Sequence, residues 1–218
     1  MLTTTKFQSY VLTITTFIVY TLWFKYNEYI QINPYLKLIS TSLLSLGLYK
    51  LITILFLAIF QRIRLVRKFF LGPKYLEGTW VGFYIGIGGS VRFIVEHFEQ
   101  DFEILIVRGR AYNDQKKFHT SWISYPANID IVKGELTYMY ELKGAQQISN
   151  GTGIVYFNFY RKNQISAPTM ISGFSADLEN KGVRTKSLEH KISDDVKITD
   201  SQALTKAIEF YNLNKDNF

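Results

Sequence analysis

The sequence predicts a membrane-anchored all-β protein: an N-terminal two-helix transmembrane hairpin, residues 1–71, followed by an eight-stranded antiparallel up-and-down β-barrel with a C-terminal helix, residues 72–218. Three observations lead there. Two long apolar stretches open the chain, the texture changes to short β-branched and aromatic runs after Gly72-Pro73, and the net charge sits almost entirely before that point.

Phe7 to Phe24 is a run of 18 uncharged residues between Lys6 and Lys25, roughly 27 Å as a helix against a hydrocarbon core of about 30 Å. Leu38 to Phe60 is a second run of 23 residues with one charge, Lys50. Fourteen of these are Leu, Ile or Phe, at roughly −0.3 to −0.6 kcal/mol each, and they outweigh the +2.5 to +3.5 kcal/mol of a central Lys. Spans at about 7–24 and 38–60 are therefore expected. Leu22-Trp23-Phe24-Lys25-Tyr26 offers no small-residue cleavage site, so the first segment reads as retained rather than as a signal peptide. Lys50 either snorkels or faces a partner helix or a water-filled path. Thr41 and Ser45 offer a small-xxx-small contact surface.

Residues 1–71 hold eight Lys or Arg against one acid, Glu28, which accounts for the whole net charge of +7; the remaining 17 basic and 17 acidic residues cancel. A neutral strand domain argues against duplex DNA or RNA as partner, because phosphate-backbone binding requires a net basic surface. Arg62, Arg64, Arg67 and Lys68 directly follow the second span, whereas the linker Lys25 to Lys37 nets about +1. That asymmetry places both termini and the strand domain in the cytosol, with Tyr26, Tyr29 and Tyr35 on a short outer loop. The chain has no cysteine, so neither disulfides nor thiolate chemistry contributes.

Eight strands are expected at about 78–86, 90–100, 102–111, 117–125, 135–142, 152–161, 169–178 and 183–191. Turns at Gly88-Gly89, Asn113-Asp114, Lys133-Gly134, Asn150-Gly151 and Asn180-Lys181-Gly182 separate them. Connections this short make neighbours antiparallel, and eight such strands close around packed side chains or one small ligand. Asp200 to Asn212 repeats Ala203, Leu204, Ala207, Ile208 and Tyr211 at helical spacing and is expected to pack on the barrel.

No nucleophile elbow, P-loop, dinucleotide fingerprint or metal-binding His pair is present, which points away from an enzyme and implies no cofactor. His97, His119 and His190 fall on three separate strands. The candidate ligand site lies in the polar and aromatic residues of the strands. Alternation groups Arg108 and Arg110 on one face of the third strand, Tyr138 and Tyr140 on one face of the fifth, and Tyr156 and Asn158 on one face of the sixth. If these faces point inward, one end of the barrel is apolar and the other carries arginine, tyrosine and an amide. Otherwise the tyrosines are core packing and the arginines are solvated outside. Arg108 and Arg110, spaced by two, suit paired hydrogen bonds to phosphate oxygens.

Gly78-Thr79-Trp80 at the start of the first strand resembles the Gly-x-Trp opening of lipocalin-like barrels. With the two spans, the basic stop and the neutral strand domain, the chain resembles the two-transmembrane, β-strand-rich effectors of bacterial cyclic-oligonucleotide anti-phage signalling (CBASS). The resemblance implies a receptor in the inner membrane whose cytosolic barrel binds a cyclic dinucleotide, self-associates and disrupts the bilayer. Two other readings remain open at this stage: a constitutive membrane-anchored scaffold, and a barrel that holds a lipid or other apolar ligand.

Overall fold

The computed structural model describes residues 2–29, 34–86, 88–144, 150–178 and 182–218, with helical side chains described from Thr5 to Lys25 and from Leu46 onward. The chain divides into two compact units, residues 1–71 and 72–218.

In the first unit, α1 spans Leu2–Tyr29, α2 Pro34–Arg62 and α3 Arg64–Leu71. Thr5–Lys25 within α1, 21 residues of mean hydropathy 1.3, is long and apolar enough to cross a membrane. Among the described residues α2 does not meet that test by itself; Leu46–Arg62 meets it only together with Arg64–Lys74, and the two parts meet at 91°. The Thr53 hydroxyl contacts that of Thr15, which is fully buried between the helices. Lys50 lies exposed on the surface of α2. Leu38 to Ser45 and the three linker tyrosines fall outside the described side chains.

The second unit is a closed antiparallel barrel. Its strands are β1 Gly78–Ile85, β2 Val91–Gln100, β3 Leu105–Tyr112, β4 Phe118–Ser124, β5 Asn128–Asp130, β6 Glu135–Gly144, β7 Asn150–Tyr160, β8 Met170–Asp177 and β9 Arg184–Ser193. Sequence neighbours pair, β9 returns to β1, and β4 pairs with β6 across the register Thr120↔Gly144 to Ser124↔Tyr140, which closes an eight-stranded ring. The three-residue β5, not expected from the sequence, is an appendage on β6. Asn150-Gly151 is not a turn: both residues belong to β7, opposite Lys143 and Leu142. The turn at Asn180-Lys181 lies outside the described residues.

The barrel opens at Gly78, whose φ of +141° is open to glycine and whose Cβ would lie 2.0 Å from the Ser193 carbonyl oxygen. Trp80 fills the adjacent end. Its ring stacks on Phe98 at 5.1 Å and its indole N–H donates to the Leu76 carbonyl at 2.9 Å. Gln100 fastens the same end, accepting from the Leu76 N–H at 2.7 Å and donating to the Lys74 carbonyl at 2.8 Å. Leu105, Val107, Leu136, Val155, Phe157 and Ile171 complete an apolar lower half.

Three cross-strand pairs set one aromatic ring against one glycine: Trp122 opposite Gly109, Tyr140 opposite Gly153 and Phe157 opposite Gly173. A Cβ on Gly109 would sit 2.0 Å from the indole, and one on Gly153 2.2 Å from the tyrosine ring. Large rings thus occupy the volume that glycine leaves, which fills a narrow interior without voids. The outer faces of β1 and β2 are covered as well. Val81, Phe83, Phe93 and Val95 pack against Ala203, Leu204 and Ala207 of α4, Asp200–Asn214. Phe83 lies 5.0 Å from the Tyr211 ring and 4.7 Å from that of Phe218.

Because the unit carries its own closed hydrogen-bond ladder and core, residues 72–218 are expected to fold alone, with a strand-type circular dichroism spectrum and a cooperative melt. In that fragment Gly109→Ala is expected to cost about 1–3 kcal/mol in urea unfolding, because the new methyl group meets the Trp122 ring. An unchanged urea midpoint contradicts the ring-on-glycine packing.

Candidate functional site

The strand phases decide which candidate residues meet. In β6, Leu136, Tyr138, Tyr140 and Leu142 point inward, as the sequence allowed. In β3 the inward residues are Leu105, Val107, Gly109 and Ala111, so Arg108 and Arg110 point outward, with side chains 54% and 58% exposed. In β7, Gly153, Val155 and Phe157 point inward, and Tyr156 and Asn158 outward. The expectation that all six line one cavity is therefore corrected: two are interior and four exterior. Tyr156 stacks on Phe174 at 5.7 Å, and β6 and β4 separate its strand from that of the arginines.

Arg108 and Arg110 do share a site, on the outer wall. They line a cleft of ≈ 390 Å³ together with His97, Trp122, Lys143 and Asp200. Each guanidinium has an acidic partner. Arg108 Nε donates to Glu99 Oε1 at 2.9 Å, and Arg110 Nη1 donates to Asp200 Oδ2. Asp200, the first residue of α4, also accepts from the Tyr112 hydroxyl at 2.9 Å, and its Oδ1 lies 3.2 Å from His97 Nε2. Burial alone raises the Asp200 pKa, but the hydrogen bonds from His97, Tyr112 and Arg110 hold it below its ordinary 3.8. This corner of the cleft is a nest of donors already holding one carboxylate.

Comparison with family models, curated proteins and solved structures returns no match. The chemistry open to the site rests on its own side chains.

Trp122 ties the cleft to the interior. Trp122 borders the cleft, but its ring lies over inward-facing Gly109, and its indole N–H donates to Glu96 Oε1 at 2.8 Å; the Tyr138 hydroxyl donates to the same oxygen at 3.2 Å. Glu96 and Glu189 are each 1% exposed, on strands either side of β1. Among the described residues Glu96 Oε2, Glu189 Oε2 and Ser187 Oγ have no hydrogen-bond partner. Burial raises both carboxyl pKa values, that of Glu189 well above the usual range with the Glu96 charge adding to the rise, while hydrogen bonds with Glu189, Trp122 and Tyr138 and the charge of His97 act in the lowering direction on Glu96. Burial of the pair thus favours its protonated form.

The upper mouth of the barrel holds Tyr84, Arg92, Tyr140 and Asp177. The Tyr140 hydroxyl donates to Asp177 Oδ1 at 2.6 Å. Burial pushes the Tyr84 hydroxyl up to about 12, with Arg92 acting in the lowering direction and Asp177 in the raising one. Arg92, half-buried on β2, lies on the inward phase, a face the sequence pattern did not assign to it. Its place follows from β2 carrying Phe98, Glu96 and Ile94 inward, a phase that its sequence hides by being apolar on both faces.

The buried glutamates give stability a defined pH dependence. Their folded pKa values lie above the ordinary 4.5, so the stability they contribute is full below about 4.5 and is lost as pH rises toward the folded values. Asp200 acts in the opposite sense, contributing above about 3.8 and losing that contribution in more acidic solution. The melting temperature of residues 72–218 is therefore expected to decline from about pH 4.5 toward neutrality, and Glu189→Gln to flatten the decline. A level wild-type profile over that window contradicts a protonated pair.

Proposed function

We propose that this protein is a membrane-anchored receptor for an anionic cyclic oligonucleotide, specifically a cyclic dinucleotide. Ligand binding on the barrel drives self-association and disruption of a bacterial inner membrane, crossed by both α1 and α2, with the barrel in the cytosol. The observation that supports this reading most directly is the convergence of Arg108, Arg110, Lys143 and His97 in one cleft of ≈ 390 Å³, which Glu141 and Asp200 also line. A cyclic dinucleotide presents two phosphates to guanidinium groups and two base faces to aromatic rings. We place the site on the outer wall, where Arg108, Arg110, Lys143 and His97 meet, rather than in the interior, whose middle layer is the buried pair Glu96 and Glu189.

The ion pair with Glu99 does not oppose binding strongly, since both side chains are about half exposed and exposed pairs are worth about 0–1 kcal/mol; Asp200, 22% exposed, is held more firmly. A phosphate that takes the place of Asp200 meets the same donors, Arg110 and Tyr112, in a charge-assisted arrangement. The architectural resemblance to CBASS effectors supports the output, and the basic run Arg62 to Lys68 supports the orientation.

A second reading, a constitutive membrane-anchored scaffold, is favoured by the ring-filled interior. The same filling counts against a lipid carrier, which requires an empty apolar cavity.

Isothermal calorimetry of the full-length protein in nanodiscs against a panel of cyclic di- and trinucleotides separates these readings. One member is expected to bind, and Arg108→Ala or Arg110→Ala to weaken it by about 1.5–3 kcal/mol, roughly tenfold or more. Lys116→Ala and Lys197→Ala, both exposed and outside the cleft, are expected to leave it unchanged. A wild type that binds nothing in the panel leaves the scaffold reading. Binding indifferent to both arginine variants removes the cleft, and binding without a change in sedimentation removes ligand-driven self-association.

A further inference from the structure

Helix α3 is a short amphipathic segment. At 100° per residue, Arg64, Arg67 and Lys68 fall within one arc, shared with the buried Leu71, and Leu65, Val66, Phe69 and Phe70 within the opposite one. The apolar arc is itself divided. Phe70 and Val66 turn toward α1, where the Phe70 ring lies 5.1 Å from Phe7 and 5.6 Å from Tyr10. Leu65 and Phe69, one helical turn apart, are left 77% and 78% exposed.

Two further observations fix what covers them. Phe7 and Tyr10 stand at the beginning of Thr5–Lys25, so α3 sits at the level where that span would leave the hydrocarbon. The axis of α3 also turns by 91° from that of α2. The corner is held by the Arg67 guanidinium donating to the Gln61 carbonyl and by the Arg67 N–H donating to the Ile63 carbonyl at 3.1 Å. A helix set square to its neighbour at the end of a span lies along a bilayer surface.

We infer that α3 is an interfacial helix that docks on anionic phospholipid, with Leu65 and Phe69 inserted at the headgroup and acyl boundary and the exposed Arg64 and Lys68 among the lipid phosphates. Its length, its exposed apolar pair and its basic opposite face are the features by which amphipathic helices bind anionic leaflets in the plane of the membrane. The placement rests on α1 crossing the bilayer and is independent of the ligand. It gives the basic run a structural role beside its topological one: α3 lies along the surface between the span and the strand domain in the chain.

The cysteine-free sequence permits clean single-site labelling. Leu65→Cys, Phe69→Cys, Phe17→Cys and Lys116→Cys, each carrying an environment-sensitive fluorophore, are reconstituted as full-length protein in vesicles of phosphatidylethanolamine and phosphatidylglycerol, with or without brominated acyl chains. Labels at 65 and 69 are expected to be blue-shifted and quenched by the bromolipid, as at 17 within the span, while the label at 116 emits as in water. In vesicles of phosphatidylcholine alone, quenching at 65 and 69 is expected to fall and quenching at 17 to persist. Water-like emission at 65 and 69 with a quenched label at 17 overturns the interfacial helix. Water-like emission at all four positions overturns the span and the helix together, and equal quenching in the two lipid mixtures overturns anionic lipid as the partner.

Discussion

The barrel depends on rings laid against glycines across neighbouring strands. A closed eight-stranded ladder has an interior wide enough for side chains and little else. Trp122 over Gly109, Tyr140 over Gly153 and Phe157 over Gly173 meet that volume constraint with one large and one absent side chain per pair. Each pair also fixes register. A one-residue slip of β3 against β4 would bring Arg108 or Arg110 under the indole and turn the polar outer face inward. The closing contact between β4 and β6 relies on the same rings, since Tyr140 is itself part of that pairing.

The rings carry polar atoms, and that determines where the interior ceases to be apolar. Once Trp122 lies over Gly109 its N–H is buried and requires an acceptor, which Glu96 supplies, and Tyr138 then shares that acceptor. Burial favours the protonated form of this carboxyl, and its neighbour Glu189 stands under the same constraint across Gly82. The result is a layered interior: a Trp80-capped apolar base, a buried acid layer, and a tyrosine-rich mouth with Arg92 and Asp177.

How much of this was legible depended on whether one face of a strand differed from the other. The long apolar helix α1, the eight strands, their antiparallel order and α4 followed from periodicity and turn residues, and β6 gave its phase through Leu136, Tyr138, Tyr140 and Leu142. In β3 and β7 the phase did not show. The first half of β3 is apolar on both sides, and in its second half the inward residues are Gly109 and Ala111, small because Trp122 fills their space. Arginines alternating with glycine and alanine look inward only if the ring that occupies the gap, fourteen residues from the first arginine, is overlooked. In β7, Gly153 misleads in the same way beneath Tyr140. The α3 helix was hidden because eight residues read as a charge run before they read as an amphipathic turn.

The outer cleft is coupled to the rest of the domain through two residues it shares. Trp122 borders the cleft through its strand and gives its N–H to the buried acid layer, so a shift of β4 is felt at Glu96. Asp200 is at once the counterion of Arg110 and the first residue of α4, the helix that covers Val81, Phe83, Phe93 and Val95. An anion that draws Arg110, Tyr112 and His97 away from Asp200 leaves a carboxylate at a helix N-terminus with solvent and backbone N–H groups for company, a loss that the helix dipole partly offsets. Most of α4 is held by ring packing and can remain in place while its first turn loosens.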